Sequence, residues 1–148
     1  MNIVAIVQCR MGSARFPGKV MQKANDEHLI GLLLKRLSRS KTISKIVVAT
    51  TNEIEDDILS EFVRSLGFDV YRGSKDDVLK RYYFAAKESK ADIVVRITGD
   101  CPIIDPEIVD KVVEKYLSDG ADYCSAMNFP DGLDTEVFSF SVYGVHEG

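Results

Sequence analysis

Residues 3–19 read IVAIVQCRMGSARFPGK, and this stretch decides the fold that the sequence predicts. A short apolar run, Ile3 to Val7, is followed at once by a loop with two glycines, a proline and three basic residues. Such a run is typical of a buried strand in a parallel sheet. The loop after it presents backbone N–H groups and cations to one small volume, which suits a phosphate group. The stretch therefore predicts the first strand of an α/β sheet ending in a phosphate-binding loop. The alternative is a solvated basic loop without a ligand.

The composition indicates an ordinary globular protein. The chain has 148 residues, of which 45% are hydrophobic, and this is enough for one domain with an apolar core. Its net charge of −4, from 19 basic and 23 acidic residues, argues against general binding to nucleic acid or to a membrane surface. No signal peptide is visible, and no apolar run approaches the roughly 20 residues that span a bilayer. The three cysteines are widely spaced, which fits reduced thiols. We expect a cytoplasmic protein.

Short β-branched runs alternate along the chain with longer helical patterns. The predicted strands are Ile3–Val7, Ile46–Thr50, Asp69–Tyr71 and Ile93–Thr98, and the predicted helices are about Leu29–Arg39, Glu55–Leu66, Asp77–Lys87 and Pro106–Leu117. This alternation predicts a three-layer αβα fold with a mostly parallel sheet. After Gly120 the pattern changes to two short runs, Tyr123–Ala126 and Thr135–Phe140, which predict a β excursion from the α/β core.

Several helix patterns carry their own end signals. Apolar residues at helical spacing predict one core-facing stripe on the second helix, formed by Ile58, Leu59, Phe62, Val63 and Leu66. Gly67 then ends that helix as a residue in the left-handed conformation would. Asp105 is the expected N-cap of the fourth helix, with Pro106 at its first position. Ser74 and Asp76 are candidate N-caps of the third helix or, alternatively, ligand contacts.

Polar, small or charged residues follow each of the four predicted strands. These residues are the loop 8–19, then Thr50 to Asn52, then residues 72–77, and finally Gly99 to Pro102. Ligands of open α/β sheets bind beyond the carboxyl ends of the strands. The sequence therefore predicts one ligand site to which four strand ends contribute.

Three cations and three carboxylates are the candidate chemical groups of this site. The arginines and the lysine that can neutralise a polyphosphate are Arg10, Arg15 and Lys19. Asp100 directly follows the fourth strand and is a candidate Mg²⁺ ligand against substrate phosphates, or alternatively a turn or cap residue. Asp134 and Glu136 lie two residues apart on one face of a predicted strand, which makes them candidates for a sugar or metal contact.

Two other nucleotide-binding motifs do not fit this loop. Residues 12–19 look like G-x-x-x-x-G-K-[ST], but five residues separate the glycines and Val20 replaces the hydroxyl that would bind Mg²⁺. A dinucleotide-binding G-x-G-x-x-G does not follow the first strand either. A kinase, an ATPase and a dinucleotide-binding enzyme are therefore disfavoured.

Four strings of the chain resemble motifs of the nucleotide-sugar cytidylyltransferases. They are QCRMGSARFPGK at 8–19, RGSKDDVLKRY at 72–82, RITGDCPIIDP at 96–106 and FPDGLDTEV at 129–137. The similarity is closest to the spore-coat polysaccharide branch, whose relatives activate 3-deoxy-manno-octulosonate and sialic acid with CTP. The resemblance implies a glycosyltransferase-A-like fold, Mg²⁺ as the cofactor, and transfer of a cytidylyl group from CTP to a sugar with release of pyrophosphate.

The strand ends and the resemblance together assign residues to this function. Nucleotide binding is assigned to Gln8, Cys9, Arg10, Met11, Gly12, Ser13, Arg15, Lys19, Thr50, Asn52, Gly73, Ser74, Thr98 and Gly99. The catalytic set is Arg15, Lys19 and Asp100, with Asp100 as the Mg²⁺ ligand, and Asp134 and Glu136 are the weaker sugar-binding candidates. The expected partners are CTP, a sugar and a second copy of the chain.

The resemblance also sets an expectation for the extent of the domain. Family members continue with further strands and helices, so we expect residues 1–148 to be a single nucleotidyltransferase-like domain that lacks the C-terminal part of the family fold. On that basis the chain should bind nucleotide and turn over sugar slowly or not at all. The alternatives are a nucleotide-binding remnant without catalysis and a nucleotidyltransferase that uses another nucleoside triphosphate.

Overall fold

The computed structural model describes residues 1–12, 23–24, 27–98, 104–119, 123–125 and 135–140. The strands are β1 (Ile3–Gln8), β2 (Lys23–Ala24), β3 (Glu27–His28), β4 (Lys45–Thr51), β5 (Asp69–Gly73), β6 (Ile93–Thr98), β7 (Tyr123–Ser125) and β8 (Thr135–Ser139). The helices are α1 (Leu29–Leu37), α2 (Asp57–Ser65), α3 (Val78–Glu88) and α4 (Pro106–Asp119), and a 3₁₀ turn (Ile54–Asp56) precedes α2. The predicted elements are confirmed, with ends that shift by one or two residues.

Six strands form one sheet in the order β5-β4-β1-β6-β8-β7. The first four strands in this order, β5, β4, β1 and β6, are parallel to one another, whereas β8 pairs antiparallel with both β6 and β7. Strands β2 and β3 form a separate two-stranded antiparallel ladder. The antiparallel pair β7 and β8 confirms the predicted β excursion, which extends the parallel sheet at one side.

The apolar core lies on both faces of the sheet. Ala5 and Val7 of β1 face one side, where α1, α2 and α4 pack, and Val4 and Ile6 face the other side, where α3 packs. Successive side chains of a strand point to opposite faces, so a central strand that is covered on both sides must be apolar throughout. This arrangement confirms the three-layer αβα fold and explains why the first apolar run has no polar interruption.

Two of the predicted helix signals have their expected geometry. Gly67 has a φ of +92°, which is the left-handed conformation that glycine adopts without strain. The Asp105 carboxylate accepts a hydrogen bond of 2.8 Å from the backbone N–H of Glu107 at the start of α4. The N-cap of α3 is Asp77, whose carboxylate accepts from the Lys80 N–H at 2.9 Å, so neither of the two candidate N-caps, Ser74 and Asp76, caps this helix.

The predicted core-facing stripe of α2 was wrong at two positions. Leu59 and Val63 are fully buried, but Ile58 is 58% exposed and Leu66 is 44% exposed. Ile58 is one residue from Leu59 and therefore points about 100° away around the helix. Leu66 follows the last helical residue, Ser65, and lies where the chain turns into Gly67. Among the described residues, no helix has the length and apolar character to cross a membrane.

Candidate functional site

The four parallel strands end together at one side of the sheet, which we call the carboxyl edge. Gln8 at the end of β1 is in register with Ala49 of β4 and with Thr98 of β6. Thr51 at the end of β4 is in register with Gly73 at the end of β5. The segments that leave these strands therefore start side by side, where an α/β sheet binds its ligand.

Only part of the predicted site falls within the described residues. The structure describes Gln8, Cys9, Arg10, Met11, Gly12, Thr50, Asn52, Gly73, Ser74 and Glu136, and the backbone of Thr98. Ser13, Arg15, Lys19, Gly99, Asp100 and Asp134 lie outside the described residues. The structure therefore brings together the first half of the β1 loop, the β4 loop and the β5 loop.

A buried carboxylate, Asp56, ties the β1 loop to the β4 loop. Its Oδ1 accepts a hydrogen bond of 2.7 Å from the backbone N–H of Met11, and its Oδ2 accepts one from the Thr51 hydroxyl. The Cys9 N–H donates to the Ala49 carbonyl at 3.1 Å and adds a second tie. Asp56 has no exposed surface, so these bonds satisfy a carboxylate that burial would otherwise destabilise. The sequence reasoning missed Asp56 because it reads as one more polar residue at a helix start.

The β1 loop comes close to the neighbouring loop at its first glycine. The atoms nearest to a Cβ on Gly12 would be those of the Glu55 carboxylate, the end of an exposed and flexible side chain of the 3₁₀ turn. The guanidinium of Arg10 donates from Nη1 to the Gly12 carbonyl at 3.0 Å, which folds the loop back on itself. Arg10 is therefore partly used to shape the loop in which it was predicted to bind phosphate.

Two predicted contact residues have buried side chains. Cys9 is 5% exposed, and burial raises the pKa of its thiol to about 12, with the Asp56 charge raising it further and the Arg81 charge opposing. Thr50 has no exposed surface. The Cys9 N–H bonds to the Ala49 carbonyl, so neither the thiol nor the N–H of Cys9 is open to a ligand. A protonated, buried thiol is also not a nucleophile.

Guanidinium groups hold the segment that follows each of the four parallel strands. Arg10 donates to the Gly12 carbonyl after β1, Arg72 to the Thr51 and Glu53 carbonyls after β4, Arg81 to the Ser74 and Lys75 carbonyls after β5, and Arg36 to the Ile104 carbonyl after β6. An arginine suits this task because its planar fork presents several N–H donors in fixed directions. The sequence reasoning gave no role to Arg36 or Arg81, and it placed Arg72 among the strand-end residues of the ligand site rather than in a supporting role.

The β4 and β5 loops are also joined directly. The Asn52 N–H donates to the Gly73 carbonyl at 3.0 Å. Arg72 donates from Nε and Nη2 at 2.9 and 2.8 Å and forms an ion pair of 2.7 Å with Asp57. Ser74, which the resemblance places near the base, is exposed beyond this junction, and its hydroxyl accepts from the Asp77 N–H at 3.4 Å. The side chain of Ser74 therefore sits between a helix start and the open edge.

Glu136 lies in the antiparallel part of the sheet, near the end of β6. It lies directly across from Arg96 of β6, two residues before the end of that strand. Because β8 runs antiparallel to β6, the first residues of β8 lie level with the last residues of β6. Glu136 is half-buried at this position, and its predicted partner Asp134 lies outside the described residues. The prediction that these two carboxylates contact a sugar stays a prediction.

The described residues do not by themselves form a metal site. Within these ranges, no three His, Cys, Asp or Glu side chains lie close enough together to hold a metal ion. Asp56, the buried carboxylate of the carboxyl edge, is already occupied by Met11 and Thr51. Asp100 offers the hard oxygen donor that Mg²⁺ prefers, but its position lies outside the described part of the chain. The metal site therefore stays a prediction.

Comparison with known proteins gives a consistent result. Residues 4–144 match the family model described as cytidylyltransferase. An uncharacterized protein of Methanocaldococcus jannaschii is 46% identical over 140 residues, which cover 95% of this chain and 58% of that protein. The spore coat polysaccharide biosynthesis protein SpsF of Bacillus subtilis is 36% identical over 140 residues, covering 92% of this chain and 58% of that protein.

A solved structure agrees with these sequence matches. A cytidylyltransferase from Leptospira borgpetersenii superimposes with a TM-score of 0.91 at 38% identity, over 99% of this chain and 64% of that one. The fold predicted from the first strand and its loop, the edge at which four strand ends meet and the match over residues 4–144 all agree. The chain belongs to the cytidylyltransferase family.

Proposed function

We propose that this chain forms the nucleotide-binding part of an enzyme that transfers a cytidylyl group from CTP to a sugar and releases pyrophosphate. The observation that carries the proposal is the carboxyl edge, where the β1, β4 and β5 loops are bonded to one another through Asp56 and Asn52. Family membership supports the choice of CTP. Because the chain covers 58% of the two relatives described above, the activity is proposed for the whole protein.

In the proposed reaction an oxygen of the sugar attacks the α-phosphorus of CTP. The bond between the α-phosphorus and its bridging oxygen breaks, and pyrophosphate leaves with the bonding electron pair. The protein has to align the attack and to stabilise negative charge on the phosphates, and it needs no covalent nucleophile. Arg15 and Lys19 are the proposed cations for this task. Mg²⁺ held by Asp100 would supply further positive charge against the phosphates.

Base and ribose recognition are assigned to the loops that the structure holds in place. The proposed contact residues at and after the end of β1 are Gln8, Met11, Gly12 and Ser13. Asn52 and Ser74 are exposed at the ends of the next two strands. Thr98 and Gly99 complete the proposed set on the β6 side.

The sugar side of the proposal rests on Asp134 and Glu136. Carboxylates bind sugar hydroxyls well because each oxygen accepts hydrogen bonds. The relative from Bacillus subtilis is named for spore coat polysaccharide biosynthesis. We therefore propose a CMP-sugar for a surface or spore-coat polysaccharide as the product, made in the cytoplasm by a homodimer.

Thermal unfolding with each of four nucleotides tests the first part of the proposal. CTP with Mg²⁺ should raise the melting temperature more than ATP, GTP or UTP, because at equal concentration the nucleotide with the lowest Kd stabilises the folded state most. A ligand at a hundredfold excess over its Kd stabilises the folded state by about 2.7 kcal/mol. Equal shifts with all four nucleotides would leave a phosphate site and remove the preference for cytidine.

Pyrophosphate release tests catalysis separately. The chain is incubated with Mg²⁺, CTP and each member of a panel of acidic sugars, and released pyrophosphate is measured. CTP-specific stabilisation without pyrophosphate release from any sugar would identify a nucleotide-binding module in these 148 residues. Release that depends on both CTP and one sugar would identify the acceptor.

Asp100→Asn tests the proposed metal ligand. The amide has the shape of the carboxylate but lacks the charge that Mg²⁺ prefers, so CTP binding should lose its dependence on Mg²⁺ while the melting temperature stays unchanged. Binding of Mg²⁺ and CTP as tight as in the wild type would show that Asp100 is not the ligand.

A further inference from the structure

One buried guanidinium lies directly beneath the loop that follows β5. Arg81, in α3, is 1% exposed. Its Nη1 donates to the Ser74 carbonyl at 3.0 Å and approaches the Lys75 carbonyl at 3.4 Å. A Cβ atom on Gly73 would lie 3.0 Å from Arg81 Cγ and 2.8 Å from the Tyr71 ring, so the glycine allows the loop to rest on the arginine stem. Arg81 and this loop therefore form one packed unit.

Burying this charge is costly, and the fold recovers little of that cost. Arg81 Nε and Nη2 are buried without a hydrogen-bond partner in the part of the chain that the structure describes. Burial lowers the pKa of Arg81, while the nearby Tyr82, Asp56 and Cys9 raise it and Arg10 lowers it. A buried ionic group is often replaced by apolar residues without loss of stability. Stability alone therefore does not account for an arginine at this position.

Within the described part of the chain, the hydrogen bonds that Arg81 forms are all made to one loop. The two carbonyls that face its Nη1 belong to consecutive residues, so the arginine fixes the orientation of two successive peptide planes. Arg72 fixes the β4 loop in a similar way, but it is partly exposed and shares its charge with Asp57. Arg81 differs in being enclosed, so its guanidinium cannot move away from the loop without opening the core.

We propose that Arg81 is a positioning residue for base selection, acting through the Ser74–Lys75 segment that it holds against α3. This inference rests on the proposed function, in which Ser74 lies near the base. Cytosine and uracil differ in the donors and acceptors on one edge, since an amino group in cytosine is replaced by a carbonyl oxygen in uracil. A loop distinguishes these edges only if its own polar groups are held in place. Loosening the loop should therefore reduce selectivity and leave the phosphate site, on the β1 loop, unaffected.

Binding measurements with three probes separate these two effects. Isothermal titration is carried out with CTP, UTP and inorganic tripolyphosphate on the wild type, Arg81→Met, Arg81→Lys and the control Arg64→Met. Arg64 is an exposed arginine on α2, so the control makes the same chemical change away from the loop. Circular dichroism establishes that each variant is folded.

The expected result is a loss of preference without a loss of phosphate affinity. In Arg81→Met the ratio of CTP to UTP affinity should fall about tenfold, the size expected when a hydrogen bond to a charged donor is lost. The affinity for tripolyphosphate should stay within about twofold, because Arg81 bonds to the β5 loop and the proposed phosphate-binding cations of the β1 loop are unchanged. Arg81→Lys keeps a charge and donors and should lie between Arg81→Met and the wild type, and Arg64→Met should match the wild type.

Each other outcome overturns the proposal in a recognisable way. A wild type that binds CTP and UTP equally refutes the proposed function and this inference with it. A wild type that prefers CTP, together with Arg81 variants that keep the full preference, refutes the inference alone. Equal losses of CTP and tripolyphosphate affinity, or failure of both Arg81 variants to fold, would assign Arg81 to the general stability of the fold.

Discussion

The segments that enter the parallel strands and the segments that leave them are held in different ways. On the entering side, the Asn2 side chain donates to the Ser89 and Lys90 carbonyls at 2.9 Å each, and Asp110 accepts from the α1–β4 connection. These groups are exposed or only partly buried. On the leaving side, Arg10, Arg36 and Arg72 are also exposed or partly buried, but Asp56 and Arg81 are enclosed charges that bond to loop backbone.

This difference distinguishes hydrogen bonds that connect elements of the fold from hydrogen bonds that keep the proposed site in shape. When an exposed hydrogen bond is lost, its partners bond to water instead. When a buried charged group is removed, its partners are left without a hydrogen bond. The entering segments need only connect elements, and water is an adequate partner there. The leaving segments have to present groups to a ligand in fixed positions, and the buried charges supply that rigidity.

Asp56→Ala should have the largest effect, because it removes the acceptor of two loops at once. We expect the free energy of unfolding to fall by about 3 kcal/mol, since the Met11 N–H and the Thr51 hydroxyl are left without their partner. CTP binding should weaken with it. Urea unfolding and isothermal titration measure the two effects.

Asp57→Ala is the matched control for this variant. Asp57 is the next residue, and its ion pair with Arg72 has a half-exposed carboxylate, so its loss should cost under about 1 kcal/mol. Similar losses of stability in the two variants would mean that burial does not distinguish the leaving segments.

Arg15→Ala and Lys19→Ala should each weaken CTP binding about tenfold without lowering the melting temperature. A phosphate contact from a cation is a charge-assisted bond, and a tenfold change corresponds to about 1.4 kcal/mol. These two variants test whether the cations of the β1 loop have different roles, with Arg10 shaping the loop and Arg15 and Lys19 binding the ligand. Titration with CTP and thermal unfolding give the answer, and a large loss of stability at unchanged affinity would reverse it.

Asp110→Asn tests the entering side. Asp110 accepts from the Ser40 and Thr42 hydroxyls and from the Lys41 and Thr42 N–H groups. We expect a loss of about 1–2 kcal/mol in the free energy of unfolding and no change in the Kd for CTP. A change in CTP affinity at this position would break the distinction between the two sides.

The same residue gives a pH dependence with a defined sign. Burial raises the pKa of Asp110, but the hydrogen bonds from Lys41, Ser40 and Thr42 outweigh it, so the pKa is lowered in the folded protein. The stabilisation is therefore complete above the unfolded pKa of about 3.9 and is lost as the pH falls through the lower folded pKa. The difference in stability between wild type and Asp110→Asn should shrink as the pH falls below about 4. A constant difference would contradict this assignment.

Cys9 should show the smallest response. With a pKa of about 12, about one thiol in ten thousand is ionised at pH 8, and the side chain is buried. Mass spectrometry after treatment with iodoacetamide should find Cys9 unmodified in the native protein and modified after unfolding in urea. Rapid modification of the native protein would show that the end of β1 opens readily.

Much of this fold can be predicted from local sequence patterns. The first strand is recognisable because it is buried on both faces and so has no polar residue before Gln8. Gly67 and Asp105 mark helix ends through backbone chemistry that depends on near neighbours only. The stripe of α2 was wrong at Leu66 because a periodic pattern continues past the residue at which the helix ends.

The residues that support the site could not be predicted from the sequence in the same way. Asp56 bonds to Met11, 45 positions away, and Arg36 bonds to Ile104, 68 positions away. No local spacing encodes such pairs, since they exist only once the strand order is fixed. The groups proposed to contact a ligand are recognisable by residue type at strand ends, whereas the groups that hold these segments are identified only in the folded structure.

The reversed direction of β8 has a consequence for how the family can diversify. The four parallel strands deliver their loops to the carboxyl edge as they end, whereas β8 begins there, with Thr135 level with Ile97. Strand β8 thus follows α4 in the chain and is separate from the segments that follow β1, β4 and β5. Substitutions in β8 therefore remove none of the hydrogen bonds described among those segments. Under the proposed function, in which Glu136 contacts the sugar, the choice of acceptor can be changed on β8 while the bonds that join the β1, β4 and β5 loops are kept.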